Sequence, residues 1–310
     1  MFIDIHSHVY INPKINFYDS VPFLSAKQYV DVMDKFGIDK SVILPLNNAE
    51  TPCEPQSFGE IMEIMQRYPG RFIPFCCPDP RLPIIPGKAD VDCYVKLLSK
   101  YKSLGCKGVG ELTARIPWDN HLMQFYLAAC EQLELPVIFH TITDDCNTYG
   151  VIDEIGLPKL EAVLKKFPKL KMIGHSAAFW SEIGGGIKDS TVKNGYPSGK
   201  VLDGGAIPRL LRQYSNLYTD ISANSGLNAF KRDEDFAYKF IEEFQDSIMF
   251  GLDICCAIEM SPHLDWLKWS NAHGNISATV YEKITWKNAN RILGLGLIGT
   301  EDVFAEGFTL

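Results

Sequence analysis

Residues 2–8 carry two histidines whose spacing could bind a metal ion. Apolar and polar residues alternate there, which is typical of a strand whose successive side chains face opposite sides. We therefore expect Asp4, His6 and His8 to share one face. Neutral imidazole is the commonest protein ligand for metal ions, so this pair could hold one ion at the end of the strand. The spacing alone leaves open a pair of surface histidines near a terminus.

Four more ionisable residues lie at the ends of predicted strands. Glu111 ends the fourth strand, His140 the fifth, His175 the sixth and Asp253 the eighth. Any one histidine at such a place could be a core residue satisfied by a hydrogen bond, but chance poorly explains the whole set. Histidines joined by a carboxylate form a recognised ligand set for a hydrolytic metal, most often zinc. We predict that these residues and the amino-terminal pair form one site.

Eight strands alternating with amphipathic helices would position these side chains. The predicted strands cover residues 2–8, 41–44, 71–75, 107–111, 136–140, 170–175, 217–221 and 248–253. Helices are predicted between them from apolar residues at helical spacing, with Ser25 and Asp119 as caps, one start near Ser57 and one end at Gly37.

This alternation describes an α/β fold with right-handed crossovers. The count of eight favours a (β/α)8 TIM barrel, a single domain over residues 1–310 with a long loop, about 177–205, after strand six. A doubly wound open sheet is the alternative, although no G-x-G-x-x-G or P-loop sequence supports a nucleotide-binding version of it. Active sites of such barrels lie at the carboxyl ends of the strands, where the candidate ligands fall.

Composition limits the classes of function. Among 310 residues, 46% are hydrophobic and 22% are charged, which is ordinary for a soluble globular protein. The net charge of -8 argues against a nucleic-acid surface. No uncharged apolar run approaches the ~18 residues of a membrane helix, and no signal peptide is evident. We expect a cytoplasmic protein that acts on a small molecule, without nucleic acid or membrane as partner; a homo-oligomer stays possible.

The nine cysteines show no C-x-x-C spacing. Adjacent pairs at 76–77 and 255–256 lie in apolar, strand-like sequence. Without a secretory signal, buried reduced thiols explain these cysteines better than a disulfide framework does.

The ordered set H-x-H, a strand-four residue, His, His and Asp resembles the amidohydrolase superfamily of metal-dependent (β/α)8 enzymes. The segments 4–8, 174–175, 250–253 and 288–291 look like its amidohydrolase-related branch, which includes aminocarboxymuconate-semialdehyde decarboxylase, the resorcylate decarboxylases, hydrolases and lactonases. The resemblance implies that the metal ligands are His6, His8, His140 and Asp253. It implies that His175 orients or activates the attacking water, or polarises the substrate.

Two departures from the family pattern matter. Many superfamily members carry a carboxylated lysine that bridges two metals at the end of strand four, where this chain has Glu111. A glutamate can itself bridge, as in the TatD-like deoxyribonuclease branch, so the resemblance allows one or two Zn²⁺ ions, or another divalent transition metal, with His140 and His175 holding the second. Residues 254–256 replace the aromatic and proline that often follow Asp253 in the branch, so the resemblance implies no particular substrate.

Other residues have weaker claims to the site. Arg115, in the loop after strand four, could pair bidentately with a substrate carboxylate, or be a solvated arginine. Trp180 could line an apolar pocket wall, although core packing explains it equally well. Asp4 could hydrogen-bond a ligand histidine or be satisfied by backbone N–H groups. Asp220 and Ser222, at the end of strand seven, are weaker candidates, because Asp220 could instead only cap or brace neighbouring loops.

Three functional hypotheses remain. The first is hydrolysis of a small-molecule C–N, C–O or lactone bond by metal-activated water, whose pKa zinc lowers from 15.7 to about 7, with Asp253 or His175 accepting the proton. The second is non-oxidative decarboxylation of a small aromatic or unsaturated acid, with the same two residues delivering a proton to carbon. The third is a non-enzymatic barrel with a dead site, which the complete ligand set argues against.

Overall fold

The computed structural model describes residues 1–14, 23–51, 53–82, 89–255 and 261–298. Its strands are β1 (Ile3–Ser7), β2 (Lys40–Ile43), β3 (Phe72–Pro74), β4 (Val109–Leu112), β5 (Val137–Ile142), β6 (Val151–Ile152), β7 (Met172–His175), β8 (Leu217–Asp220) and β9 (Ile248–Met249). Its helices are α1 (Ala26–Phe36), α2 (Phe58–Arg67), α3 (Val91–Ser103), α4 (His121–Gln132), α5 (Pro158–Lys166), α6 (Ala177–Trp180), α7 (Ser190–Lys193), α8 (Ala206–Gln213), α9 (Ala223–Lys231), α10 (Glu234–Phe244), α11 (Pro262–Ala272), α12 (Ala278–Glu282) and α13 (Asn288–Leu293). A 3₁₀ turn covers Ser181–Ile183 and a π-helical turn covers Lys283–Lys287.

The strands form a closed parallel barrel. One sheet has the order β1-β2-β3 and the other the order β4-β5-β7-β8-β9. Backbone bonds join them at both edges: Cys76 N donates to Gly108 O over 3.1 Å, and Ile5 N donates to Phe250 O over 3.1 Å. The short strand β6 lies outside this ring and pairs with β5. The predicted (β/α)8 barrel is therefore confirmed, with β7, β8 and β9 as its sixth, seventh and eighth strands.

Apolar side chains from seven of these strands meet in one cluster inside the ring, formed by Ile3, Ile5, Val42, Leu44, Ile73, Phe75, Ile138, Ile173, Tyr218 and Met249. Helix α13 adds Ala289, Ile292 and Leu293 to this cluster. Lys171, just before β7, donates to the carbonyl of Ile292 over 2.8 Å, which places α13 at the amino ends of the strands. The opposite end of the ring is left for polar residues.

The first strand departs from the expected alternation. Its register against β2 shifts between Asp4 and Ser7. Asp4 faces Tyr29 of α1 and Ser41 of β2, to which it is hydrogen-bonded, whereas His6 lies beside Glu111. The prediction that Asp4 shares a face with His6 is therefore wrong, because the irregularity rotates the strand between the two residues.

The predicted helix starts are largely correct. Ser25 caps α1 in a reciprocal capping box, and Gly37 ends it with a φ of 76°. Ser57 caps α2. The cap predicted at Asp119 is wrong by one residue: the side-chain oxygen of Asn120 accepts from Leu122 N over 2.9 Å. Asn and Asp cap helices equally well, so sequence alone does not choose between them.

The segment predicted as a loop over about 177–205 contains α6, the 3₁₀ turn and α7. Each is too short for an apolar stripe at helical spacing, which explains why the pattern did not show them. Within this segment Lys193 and Glu182 form a buried ion pair with an Nζ–Oε1 distance of 2.7 Å. Glu182 also accepts from Gly156 N over 2.8 Å, so the pair fixes the segment to the loop before α5.

Helix α9 and strand β6 were not expected from the sequence. Residues 15–22 and 299–310 of the predicted domain lie outside the described residues. Among the described helices, none combines the length and the apolar character that crossing a bilayer requires.

Candidate metal centre

Two imidazoles and two carboxylates meet at the carboxyl end of the barrel. His6 Nε2 lies 3.6 Å from Glu111 Oε2 and 3.7 Å from Asp253 Oδ1. His8 Nε2 lies 3.5 Å and 3.3 Å from the same two oxygens. His6 lies in β1 and His8 just after it, Glu111 lies in β4, and Asp253 lies in the turn after β9. The structure therefore brings together the predicted ligands that are most distant in sequence.

A second group forms around the other oxygen of Glu111. His140 Nδ1 lies 2.8 Å from Glu111 Oε1, and His175 Nε2 lies 3.9 Å from the same oxygen. The parallel register of β5 and β7 places His140 directly beside His175. Ligand atoms of Glu111, His140 and His175 lie within 4.8 Å of one another, as do those of His6, His8 and Glu111. Glu111 thus belongs to both groups.

Asp253 lies close to residues of both groups. Besides the amino-terminal pair, it approaches His175, with 3.6 Å from Oδ2 to Nε2. Its backbone adopts a left-handed φ of 54°, and its N–H donates to His6 O over 2.9 Å. A non-glycine residue in this conformation is strained, and such strain clusters at functional sites.

One buried carboxylate orients two of the imidazoles. Asp220, at the end of β8, accepts from His6 Nδ1 over 2.8 Å and lies 3.0 Å from His175 Nδ1. The hydroxyl of Ser222 donates to Asp220 Oδ1 over 2.8 Å and lies 3.0 Å from His175 Nδ1. Because each Nδ1 is engaged, each Nε2 is left facing the centre.

Glycines let the backbone bring these side chains together. A Cβ on Gly110, whose φ is 151°, would lie 2.8 Å from the carbonyl oxygen of Ile138 on β5. A Cβ on Gly174, the residue before His175, would lie 2.2 Å from the ring of Phe179. Larger residues at these two positions would push β4 from β5 and α6 from β7.

The charges in the cluster favour a cation. Burial raises the pKa of Glu111, but its hydrogen bond with His140 and the nearby imidazole of His6 outweigh this and hold the pKa well below its usual value. Burial likewise opposes ionisation of Asp220 and Asp253, and the neighbouring histidines lower both pKa values. Burial alone would lower the pKa of His6, yet the charges of Asp253 and Asp220 raise it well above the ordinary value. Three ionised carboxylates therefore draw positive charge into a buried space.

The donor set fits a divalent metal ion. His6 Nε2 is buried and has no hydrogen-bond partner among the described residues, an unusual state for a polar atom in a folded protein. Two atoms bound tetrahedrally to one zinc ion lie about 3.4 Å apart. The separations of 3.3–3.7 Å between the amino-terminal imidazoles and the two carboxylates match that value.

The side chains of Arg115 and Asp4 are hydrogen-bonded to backbone atoms. The Arg115 guanidinium donates to the carbonyl of Cys146 over 3.2 Å and to that of Asp144, in the loop after β5. Pairing of Arg115 with a substrate carboxylate stays a prediction. Asp4 accepts the backbone N–H groups of His6 and Leu252, the second of the two roles considered for it.

The Trp180 side chain, predicted to bind substrate, lies in the core instead of on a pocket wall. The residue is only 2% exposed, and its ring packs against those of Phe179, Phe230 and Phe240. Its Nε1–H donates to the Asp220 carbonyl over 2.9 Å. Its aromatic contacts thereby hold the end of β8 in place beneath the centre.

Sequence reasoning missed two partners of the ligands. The carbonyl of Leu44 lies 2.9 Å from His8 Nδ1, and a backbone atom leaves no trace in the sequence pattern. The ring of Tyr149 packs edge-on against His140 at 4.8 Å between centroids. Tyr149 lies in the loop after β5, where aromatic residues carry no spacing signal.

Comparison with solved structures supports the fold. The chain resembles an amidohydrolase from Burkholderia multivorans with bound zinc, at 12% identity and a TM-score of 0.58, covering 95% of this chain and 99% of that one. It resembles a probable 2-pyrone-4,6-dicarboxylic acid hydrolase from Acinetobacter baumannii, at 12% identity and a TM-score of 0.58, covering 94% and 99%. It also resembles a dihydroxybenzoic acid decarboxylase from Polaromonas with bound manganese and 2-nitroresorcinol, at 16% identity and a TM-score of 0.56, covering 98% and 99%.

Sequence comparison gives the family. A search of curated proteins finds no significant match. The profile of the amidohydrolase family matches residues 3–295, nearly the whole chain and every residue of the metal cluster. The chain therefore belongs to the amidohydrolase family.

Proposed function

We propose that the protein is a metal-dependent hydrolase that cleaves a C–N, C–O or lactone bond of a small molecule. The observation that carries this proposal is the position of Glu111. Its Oε2 faces His6 and His8, and its Oε1 faces His140 and His175. A carboxylate shared by two imidazole pairs suits a pair of metal ions, and paired ions are common in hydrolytic sites.

Each ion would have its own ligands. His6, His8 and Asp253 would hold one, His140 and His175 the other, and Glu111 would contribute to both. A divalent ion bound there would polarise a substrate carbonyl and make water more acidic at neutral pH. Zn²⁺ is our first choice because its usual nitrogen and oxygen ligands are those present here.

Two side chains mark the side from which substrate would enter. The Asp253 side chain is 18% exposed and that of His140 is 16% exposed, whereas those of His6, His8, Glu111 and His175 are nearly covered. Asp253 can therefore reach water or substrate and serve as the proton acceptor. His175 is held by Asp220 with Nε2 toward the same space, and it can orient the bound substrate.

Metal analysis tests the two-ion part of this proposal. We expect about two equivalents of Zn²⁺ in the wild-type protein and about one in His140→Ala, since the second group would lose a ligand. His121→Ala, which removes an exposed histidine at the start of α4, serves as the matched control and should retain both ions. One equivalent in both the wild type and His140→Ala would exclude the second ion.

Decarboxylation is the alternative, and the resemblance to the manganese-containing dihydroxybenzoic acid decarboxylase favours it. Product analysis separates the two reactions. Incubation with 2-pyrone-4,6-dicarboxylate should release acid without carbon dioxide, and 2,6-dihydroxybenzoate should remain unchanged. Carbon dioxide released from the benzoate, and absent with His175→Asn, would replace hydrolysis with decarboxylation.

We propose the cytoplasm as the location of the enzyme. Five cysteines in the described part of the chain are buried free thiols: Cys53, Cys76, Cys77, Cys106 and Cys130. Free thiols are the normal state in a reducing compartment.

A further inference from the structure

A second pocket lies in the segment between β7 and α8. Its volume is about 420 Å³, within the range of small-molecule sites. The polar residues that line it are Thr191, Tyr196, Ser198, Lys200 and Arg232. No carboxylate is among its described lining residues, although the chain has 38 acidic and 30 basic residues. Its described lining therefore has two basic side chains, of which Lys200 is paired with Asp233, and no acidic one.

Arg232 lacks a counter-ion. Its Nε is buried without a hydrogen-bond partner, and in the described part of the chain its guanidinium forms no ion pair. The adjacent Asp233 is engaged elsewhere, since it accepts from Lys200 Nζ over 2.8 Å and from Val201 N over 2.9 Å. Burial lowers the pKa of Arg232, with only partial compensation from the charge of Asp233.

An unpaired, half-buried guanidinium is costly to keep. Removing a charged group from water without a partner is unfavourable, so such groups are normally paired. The planar guanidinium presents its donors in a fork that matches carboxylate and phosphate oxygens. A ligand that supplies those oxygens would satisfy Arg232.

The surrounding segment packs closely on Arg232 and supplies further hydrogen-bond donors. A Cβ on Gly184 would lie 3.3 Å from an Nη atom of Arg232, so the guanidinium packs directly on the backbone there. The hydroxyls of Thr191 and Ser198 form no hydrogen bond to any described residue and remain available to a ligand. Asn228 of α9 donates to Pro197 O over 3.0 Å, which holds the segment in place.

We propose that this pocket is an oxoanion-binding site in which Arg232 is the charged anchor for a phosphate or carboxylate group. The proposal does not depend on the hydrolase activity, because it rests on residues outside the metal cluster. Arg232 forms two-oxygen contacts with the anion, and the hydroxyls of the segment complete its coordination.

Calorimetric titration of the metal-loaded protein with inorganic phosphate, and separately with succinate, tests this site. We expect Arg232→Gln to weaken binding of the preferred anion at least tenfold. Arg212→Gln is the matched control, because Arg212 is already paired with Glu243 on the surface, and it should bind as the wild type does. Stronger binding of phosphate would identify a tetrahedral anion as the ligand, and stronger binding of succinate a carboxylate.

Anion bound at the metal centre would persist in Arg232→Gln, so the difference between wild type and variant reports the second pocket alone. Equal affinities of wild type and Arg232→Gln, or no binding by the wild type, would overturn the proposal. Arg232→Lys gives an independent check: it keeps the charge but loses the fork, and should show intermediate affinity. The unfolding midpoint of Arg232→Gln should not fall, since a neutral amide is cheaper to bury than an unpaired charge.

Discussion

At the scale of single residues, Asp220 controls how the metal ligands are presented. One fully buried carboxylate contacts Nδ1 of His6 and of His175, which belong to strands on either side of it in the ring. Since it accepts hydrogen bonds from both rings, it selects the tautomer that leaves each Nε2 free for a metal. Two ligands of the cluster thus depend on one side chain that binds no metal itself.

Asp220→Asn should lower zinc affinity by about 10–100-fold, the usual cost of losing such a partner. The amide oxygen can accept from one Nδ1–H, but the amide nitrogen then faces the other ring as a donor, which favours the wrong tautomer there. Competition with a chromophoric chelator measures the affinity. Asp246→Asn removes a surface carboxylate paired with Lys283 and should leave the affinity unchanged. Equal affinities of Asp220→Asn and wild type would show that the two rings orient themselves.

The sequence predicted the residues that face the metal site better than it predicted the residues that hold them in place. Their types and strand-end positions identified His6, His8, Glu111 and Asp253, and their proximity in space is what the structure adds. Asp220 was considered only as a weaker candidate, because a carboxylate at the end of a strand could also only cap or brace neighbouring loops. Trp180 was predicted to bind substrate. An aromatic residue shortly after His175 looks the same in the sequence whether it packs in the core or lines a pocket.

At the scale of elements, Arg81 ties together the loops after β2, β3 and β4. Its guanidinium donates to both carboxylate oxygens of Asp79 and of Glu50. Glu50 Oε2 in turn accepts from Arg115 N over 3.3 Å. The guanidinium of Arg81 therefore holds three loops at the carboxyl end of the barrel, the third of them through Glu50.

This network should stabilise the protein more at neutral than at acidic pH. Hydrogen bonds from Arg81 are the main reason that the pKa of Glu50 is lowered, and they outweigh the burial that raises the pKa of Asp79, so that it too is lowered. Both groups then bind fewer protons in the folded than in the unfolded state at mildly acidic pH. Their contribution is complete above the unfolded pKa values of about 4 and is lost as the pH falls through the lower folded values.

Arg81→Met should therefore reduce the free energy of unfolding by about 1–3 kcal/mol at pH 7, the cost of leaving charged partners unsatisfied. The loss should be smaller at pH 3, where the carboxylates approach neutrality. Urea unfolding at the two pH values measures both. Lys27→Met, which breaks an exposed pair with Asp31, should leave the free energy of unfolding nearly unchanged at either pH. A pH-independent loss in Arg81→Met would assign its role to packing alone.

Element prediction succeeded where local signals are strong. Serine caps followed by apolar stripes located α1 and α2, and runs of β-branched residues located the barrel strands. Helix α9 has no such signal: Gly226 lies in its middle because a Cβ there would meet the carbonyl carbon of Ile221 at 2.5 Å. A tertiary contact therefore selects a residue that disfavours helix, and sequence propensity gives the wrong answer.

At the scale of the whole molecule, the metal should stabilise the barrel. Three ionised carboxylates lie close together in buried space, and their mutual repulsion is relieved by a bound cation. An ion that binds only the folded chain adds about 2.7 kcal/mol of stability at a concentration of 100 times its Kd. We expect removal of metal by a chelator to lower the unfolding midpoint by several degrees, and added Zn²⁺ to restore it.

Differential scanning calorimetry provides this measurement. The double variant His8→Ala/His140→Ala lacks a ligand in each group, so the chelator should barely alter its midpoint. An equal chelator effect in this variant and in the wild type would place the stabilising ion elsewhere in the molecule.

The barrel as a whole was predictable because eight apolar runs separated by helical stripes leave few alternatives. Closure of the ring was not directly visible, since an open sheet gives the same alternation. It depends on hydrogen bonds between residues remote in sequence, such as Ile5 N to Phe250 O. The count of eight strands favoured closure, and only a closed ring brings the first and eighth strands together.

The bond from Leu252 N to Asp4 Oδ1, over 2.9 Å, spans 248 positions and has a consequence for synthesis. The ribosome synthesises β1 long before β9 and the turn after it. The edge of β1 that faces Phe250 and Leu252 is therefore unpaired in the growing chain. His6 and His8 then lack Asp253 until nearly the entire barrel has left the exit tunnel. The group of His6, His8, Glu111 and Asp253 is thereby completed only after β9 and the turn that follows it have been made.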